Sequence, residues 1–166
     1  MARYKVILSY DGTDFLGFQR QSDVRTVQGV VEHALYHIGW QGQRILAAGR
    51  TDTGVHASGQ VIAFDLDWVH SNSDLKRAMN ANLPNDVAIK AIEVVNEDFH
   101  PRYDAQIRHY QYRIFSEESR QPLKERYAWR VWPGVNLDLM LAGAQNFLGT
   151  HDFAAFGSPT KRGGST

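Results

Sequence analysis

Apolar residues change their spacing along this chain, and the order of those changes constrains the fold more than any other feature. Between residues 4 and 10, Tyr4, Val6, Leu8 and Tyr10 take alternate positions, the period of a strand with one buried face. After the loop DGTDFLGFQRQSDVRT, Thr26 is placed to cap a helix. Its Val27, Val30, Val31, Ala34, Leu35 and Ile38 follow a three-and-four spacing that stops at Gly39. Strand patterns return over 44–50 and 60–67. A second helix over about 74–82 buries Leu75, Ala78, Met79 and Leu83 and stops at Pro84. Further strands are expected over 87–95 and 108–115. Strand, helix, strand, strand, helix, strand is the order of the split βαββαβ unit, an α+β, ferredoxin-like antiparallel sheet with its helices on one face.

That unit accounts for residues 1–106. A third helix, opened by Asn136 and carrying Met140, Ala144, Phe147 and Leu148, has no place in it, so residues 107–166 are expected to start a second α+β domain. The terminal GSPTKRGGST is the only low-complexity stretch and reads as a frayed end.

With 166 residues, 43% of them hydrophobic, the chain can bury a core of its own. It has no cysteine, which excludes disulfides, a thiolate nucleophile and cysteine-ligated zinc. The opening MARYKVILSY is a charged, alternating strand and not a signal peptide. No apolar run approaches membrane-spanning length, and a cytoplasmic protein is expected. Lys plus Arg number 18, as do Asp plus Glu, so the totals carry no basic nucleic-acid footprint. Distribution says more. Between His100 and Arg130, Arg102, Arg108, Arg113, Arg120, Lys124, Arg126 and Arg130 outnumber Asp104, Glu117, Glu118 and Glu125, with Tyr103, Tyr110, Tyr112, Tyr127 and Trp129 interleaved. Arginines among aromatics suit phosphate contacts and base stacking. By itself the run weighs more as solvated strands with ordinary salt bridges.

Several clusters invite a catalytic or metal reading. His33 and His37 have ligand spacing but lie opposite the helix's apolar stripe with no third ligand evident, so no metal is expected there. His151 and Asp152 are adjacent, which does not converge two ligands. The strand VIAFDLDWV, ending in Asp65 and Asp67, looks like the nucleophile segment of haloacid-dehalogenase-type phosphotransferases. That chemistry also needs a downstream lysine, an acidic magnesium cluster and a parallel sheet, and a strand end with solvated carboxylates is the simpler account. The segment AAGRTDTGVHASGQ, residues 47–60, is different. A plain turn would need fewer specific groups. If Arg50 and Asp52 stay extended they point the same way, so the guanidinium can approach the carboxylate, and Gly49 and Gly54 leave room for a bulky substrate. Asp52 is the candidate nucleophile or base.

GRTDTGVHA resembles the catalytic motif of the tRNA pseudouridine synthase A family. YDGTDFLGFQRQ, TVQGVVEHAL, GRTDTGVHASGQVIAF, FHPRYDAQIRHYQYRI and FLGTHDFAAF resemble that family's successive segments in order, over nearly the whole chain. The resemblance implies an isomerase that converts uridine to pseudouridine in the anticodon stem-loop of tRNA, at positions 38, 39 and 40. It implies Asp52 as the catalytic aspartate and Arg50 beside it engaging RNA. It implies Tyr110, in RHYQYRI, as the family's active-site tyrosine, catalytic together with Asp52 and packing against a base flipped out of its stack, with Tyr112 on the same face as the alternative. Gln19, His56, Arg102 and Arg108 are expected among the substrate-binding residues. A cytoplasmic homodimer is implied, with no metal and no organic cofactor. Moving the ribose C1′ from N1 to C5 is redox-neutral, and a carboxylate could attack C1′, add to the base ring or take the ribose 2′ proton. In the family, the segment resembling FAAFGSPTKRGGST continues into more strands and a further basic residue, whereas this sequence stops at Thr166. A catalytically incomplete tRNA-binding remnant is therefore the alternative expectation, with the Asp65/Asp67 phosphotransferase behind it.

Overall fold

The computed structural model describes residues 1–157, and the glycine- and serine-rich end beyond Gly157 lies outside them. Two compact units follow one another, Met1–His109 and a second that begins at Tyr110.

The first unit is built on a four-stranded sheet: β1 (Ala2–Tyr10), β2 (Leu46–Ala47), β3 (Ala57–Leu66) and β4 (Val87–Val95). Its order is β2-β3-β1-β4, and every neighbouring pair is antiparallel. Helices α1 (Val27–His37) and α2 (Asn72–Asn82) connect the strands, so the α+β βαββαβ order expected from the periodicity is the one observed. Alternation places Tyr4, Val6, Leu8 and Tyr10 on one face with Ile62, Phe64, Leu66 and Ile89. Val27, Val31 and Leu35 from α1 and Leu75 and Met79 from α2 cover that face and complete the core. Both helix starts are capped. Thr26 accepts from the Gly29 N–H, and Ser71 and Asp74 form a reciprocal capping box, such caps being worth roughly 1 kcal/mol each. Gly39, at φ +92°, ends α1 in a conformation that favours glycine.

The opposite face carries cross-strand ion pairs. Arg3 stands opposite Asp65 and donates from Nε and Nη2 to both carboxylate oxygens at 2.7 Å; Lys5 Nζ lies 2.7 Å from Glu93. The Arg3 guanidinium holds the Asp65 carboxyl below its usual range. Asp65 is thus part of a ladder pair, and Asp67 lies 3.8 Å from the terminal amine of Met1. The antiparallel order is not the parallel sheet a phosphotransferase aspartate would need.

Some expected boundaries shift. The strand read over 44–50 shrinks to Leu46–Ala47, because past Ala48 the Gln60 side chain, not the backbone ladder, takes the Gly49 carbonyl, at 2.8 Å. The strand read over 108–115 is only β5 (Ile114–Ser116). It pairs parallel with β6 (Trp129–Val131), a strand of three residues, too short to show a period. In the second unit α3 (Pro122–Glu125) separates these strands, and α4 (Leu137–Gln145) follows with Asn136 as its cap. Phe147 and Leu148, expected on that helix, fall just past its end, where Phe147 packs on Phe153 and Phe156. Among the described residues of this unit none is buried.

Candidate active site

Asp52 sits in the connection between β2 and β3, and that connection is interlocked with the loop that leaves β1. Phe18 N donates to the Thr51 carbonyl at 2.9 Å and Gly54 N to the Phe15 carbonyl at 3.3 Å. Glycine makes the approach possible. A Cβ on Gly12 would stand 2.1 Å from the Val55 oxygen, and Gly17, at φ +91°, lies over Thr51 and Asp52. Gly54, at φ +77°, turns the chain after Asp52, and the Val55 N–H returns to the Asp52 carbonyl at 3.2 Å.

The consequence is specific to Asp52. Both peptide units that flank it are hydrogen-bonded, one through the Thr51 carbonyl and one through its own. Its side chain is exposed, and among the described residues it has no hydrogen-bond or ion-pair partner in the protein. A carboxylate on a held backbone with its oxygens exposed is able to serve as nucleophile or base toward a group brought to it. Arg50, Thr51 and Asp52 lie outside the strands, the turn follows at Thr53 and Gly54, and no ion pair joins Arg50 to Asp52 among the described residues. Arg50 is likewise exposed, with no side-chain partner among the described residues.

The other candidates fall into groups. His56 ties the two loops: Gly12 N donates to its Nδ1 at 3.0 Å, and Asp11 Oδ1 lies 3.1 Å from the same nitrogen. That nitrogen can serve only one of them at a time, as acceptor for Gly12 or donor to Asp11. Gln19 is half-buried directly after Phe18, the residue whose N–H meets Thr51. Arg108 uses Nη2 on the Ala48 carbonyl at 3.2 Å and the Arg102 carbonyl at 3.1 Å, so it reaches the stem of the Asp52 loop. Arg102 is exposed. Tyr110 belongs to the second unit, where its ring is 82% exposed, and Tyr112 is similarly exposed. Part of the basic run is self-paired, Lys124 with Glu117 and Arg120 and Arg130 with Glu125.

The periodicity reading missed buried polar groups of the first unit. Tyr10 Oη lies 2.8 Å from Thr51 Oγ1. Glu32, only 1% exposed, accepts from Arg20, Gln28 and the Ile45 N–H, joining α1 to the segments on both sides of it. The signal was available: Gln28 and Glu32 are four apart and border the apolar stripe of α1, where a carboxylate needs partners.

His33 and His37 meet at 3.0 Å between their Nε2 atoms on the exposed side of α1. Among the described residues no group of three or more side chains could hold a metal ion, and no helix is long and apolar enough to cross a membrane.

Comparison with known proteins agrees with the resemblance in the motif. Residues 6–104 match the tRNA pseudouridine synthase family. A protein of Pseudothermotoga lettingae named tRNA pseudouridine synthase A is 46% identical over 156 residues, 94% of this chain and 64% of its own length. Those of Oceanobacillus iheyensis and Methylorubrum populi, with the same name, are each 46% identical over 160 residues and are covered over 63% and 62% of their lengths. This chain thus spans a little under two thirds of the curated relatives it matches. The family match takes in the first sheet from Val6 onward, both of its helices and the Asp52 loop, and the chain belongs to the tRNA pseudouridine synthase family.

Proposed function

We propose that this protein isomerises uridine to pseudouridine in tRNA, with Asp52 as the reacting carboxylate. In that reaction the bond from ribose C1′ to N1 breaks, a bond from C1′ to C5 forms, C5 gives up a proton and N1 ends with one. Electrons balance without an oxidant. The observation that carries the reading is the Asp52 carboxylate itself, exposed and uncommitted while the peptides on either side of it are held. Exposed Arg50 on the same loop suits a phosphate, and the exposed Tyr110 ring suits a base taken out of its stack. The target uridines are those of the anticodon stem-loop, positions 38, 39 and 40, and the working form is a cytoplasmic homodimer. These finer assignments rest on the family resemblance.

The test is incubation of the purified chain with unmodified tRNA, scored for pseudouridine. Asp52→Asn is expected to abolish the product while leaving tRNA affinity within a few-fold, since the amide keeps the shape and removes the nucleophile and base. Substantial turnover by that variant would remove Asp52 from the mechanism. A wild-type chain that binds tRNA and makes no pseudouridine would favour the binding-remnant alternative.

A further inference from the structure

Under the Asp52 loop runs a short polar chain that ends on a buried phenol. Tyr10, the last residue of β1, is 4% exposed, and its ring packs against Phe18. Its hydroxyl lies 2.8 Å from Thr51 Oγ1. Gln60 donates from Nε2 to the Gly49 carbonyl at 2.8 Å. The segment 49–51 that delivers the chain to Asp52 is thus held at Thr51 by the Tyr10 hydroxyl and at Gly49 by the Gln60 side chain. Thr51 is gripped a second time, through its carbonyl, by the Phe18 N–H. That carbonyl and the Asp52 N–H belong to one planar peptide unit, so whatever orients Thr51 orients the start of Asp52.

We infer that Tyr10 is a positioning residue for the isomerisation, its hydroxyl setting, through Thr51, the direction in which the Asp52 carboxylate meets the target uridine. The inference rests on the reading of Asp52 as the reacting group. The physical ground is that the Asp52 side chain has no partner of its own among the described residues, so its aim comes from its backbone. A displacement of about 1 Å in a reacting group costs on the order of 100-fold in rate. Burial raises the phenol's pKa, which keeps the hydroxyl protonated and able to donate throughout the neutral range. Tyr10 touches no substrate in this reading; it acts through Thr51.

The experiment uses the full chain with Tyr10→Phe, which keeps the ring and removes one oxygen, beside Thr51→Val and the conservative Thr51→Ser. Tyr10→Phe is expected to lower kcat by about 10- to 100-fold, with KM and tRNA affinity within a few-fold of wild type. Thr51→Val should match it, Thr51→Ser should keep most of the activity, and the Tyr10→Phe/Thr51→Val double variant should fall no further than either single one. Amide exchange gives a readout independent of turnover. Phe18 and Val55, whose N–H groups bond across and within the loop, should exchange faster in Tyr10→Phe, while Val6 and Ile62 in the core strands keep wild-type protection. A wild-type kcat, a loss confined to affinity, or exchange that rises equally in loop and core would overturn the proposal. If the wild-type chain makes no pseudouridine, the functional reading fails by itself, and unchanged protection at Phe18 and Val55 then overturns the positioning claim as well.

Discussion

At the scale of single residues, two glycine and aromatic positions carry more than their size suggests. Gly12 lets two loops touch where a methyl group would stand 2.1 Å from the Val55 oxygen, a distance that only backbone movement can relieve. Gly12→Ala is therefore expected to cost about 1–3 kcal/mol of stability, read as a lowered denaturation midpoint, and to reduce turnover beyond the stability loss because the Asp52 loop is what must move. Tyr110 is the converse, a ring 82% exposed that the protein itself does not use as core. Tyr110→Ala should weaken tRNA binding by roughly 1–3 kcal/mol if the ring stacks on a base, and Tyr110→Phe should keep that affinity. Equal affinities for all three proteins in a filter-binding or anisotropy titration would leave Tyr110 as an ordinary surface aromatic.

Secondary-structure elements show where charge supports the fold. The β1–β3 ladder is crossed by Arg3 and Asp65, whose paired hydrogen bonds hold the Asp65 carboxyl below the usual carboxylate range. A carboxyl whose folded pKa is depressed contributes stability above its unfolded value and loses it as pH falls through the folded one. The pair's contribution is thus complete above about pH 4 and fades below it. Because Asp65 is substantially exposed, the contribution is roughly 0.5–1 kcal/mol. Asp65→Asn should show a thermal midpoint that changes less with pH below 4 than that of wild type; identical pH profiles would show the pair to be energetically silent. Helix α1 carries the stronger case, since Glu32 is enclosed and its partners Arg20, Gln28 and Ile45 come from three parts of the unit. Such a carboxylate tolerates replacement poorly when one partner is removed, because the charge remains buried.

Across the whole molecule the two units differ in how much they hide. Every buried apolar residue of the core lies in Met1–His109, while Leu137 and Leu141 on α4 are more than 60% exposed. Amides beyond Pro133 are therefore expected to exchange faster than those of β1 and β3, which a single exchange time course resolves. Uniform protection in both units would contradict this packing argument. Zero net charge over the chain means that any attraction for RNA is local, and Arg50, two residues before Asp52, is exposed with no side-chain partner among the described residues. Replacing it with alanine should flatten the salt dependence of tRNA binding by about one unit of slope, as for the loss of one phosphate contact.

How much of this was legible beforehand depended on range along the chain. Hydrophobic periods of two and of three-to-four are local properties, and they sufficed for the element order of the first unit, the caps at Thr26 and Asn136 and the inward face of β1, but not for the short α3 and β6 of the second unit. The motif around Asp52 likewise marked the loop and the family, because its glycines and charged groups are close in sequence. What no window could reveal is which distant groups share a hydrogen bond. Tyr10 with Thr51, Gly12 with Val55 and His56, and Arg3 with Asp65 are separated by tens of residues. Their meeting follows from strand order and register, which bring the end of β1 against the entry to β3. Local pattern singled out Asp52 as the candidate carboxylate; that its flanking peptides are held while its side chain is exposed follows from partners brought together across the sheet, which no local window contains.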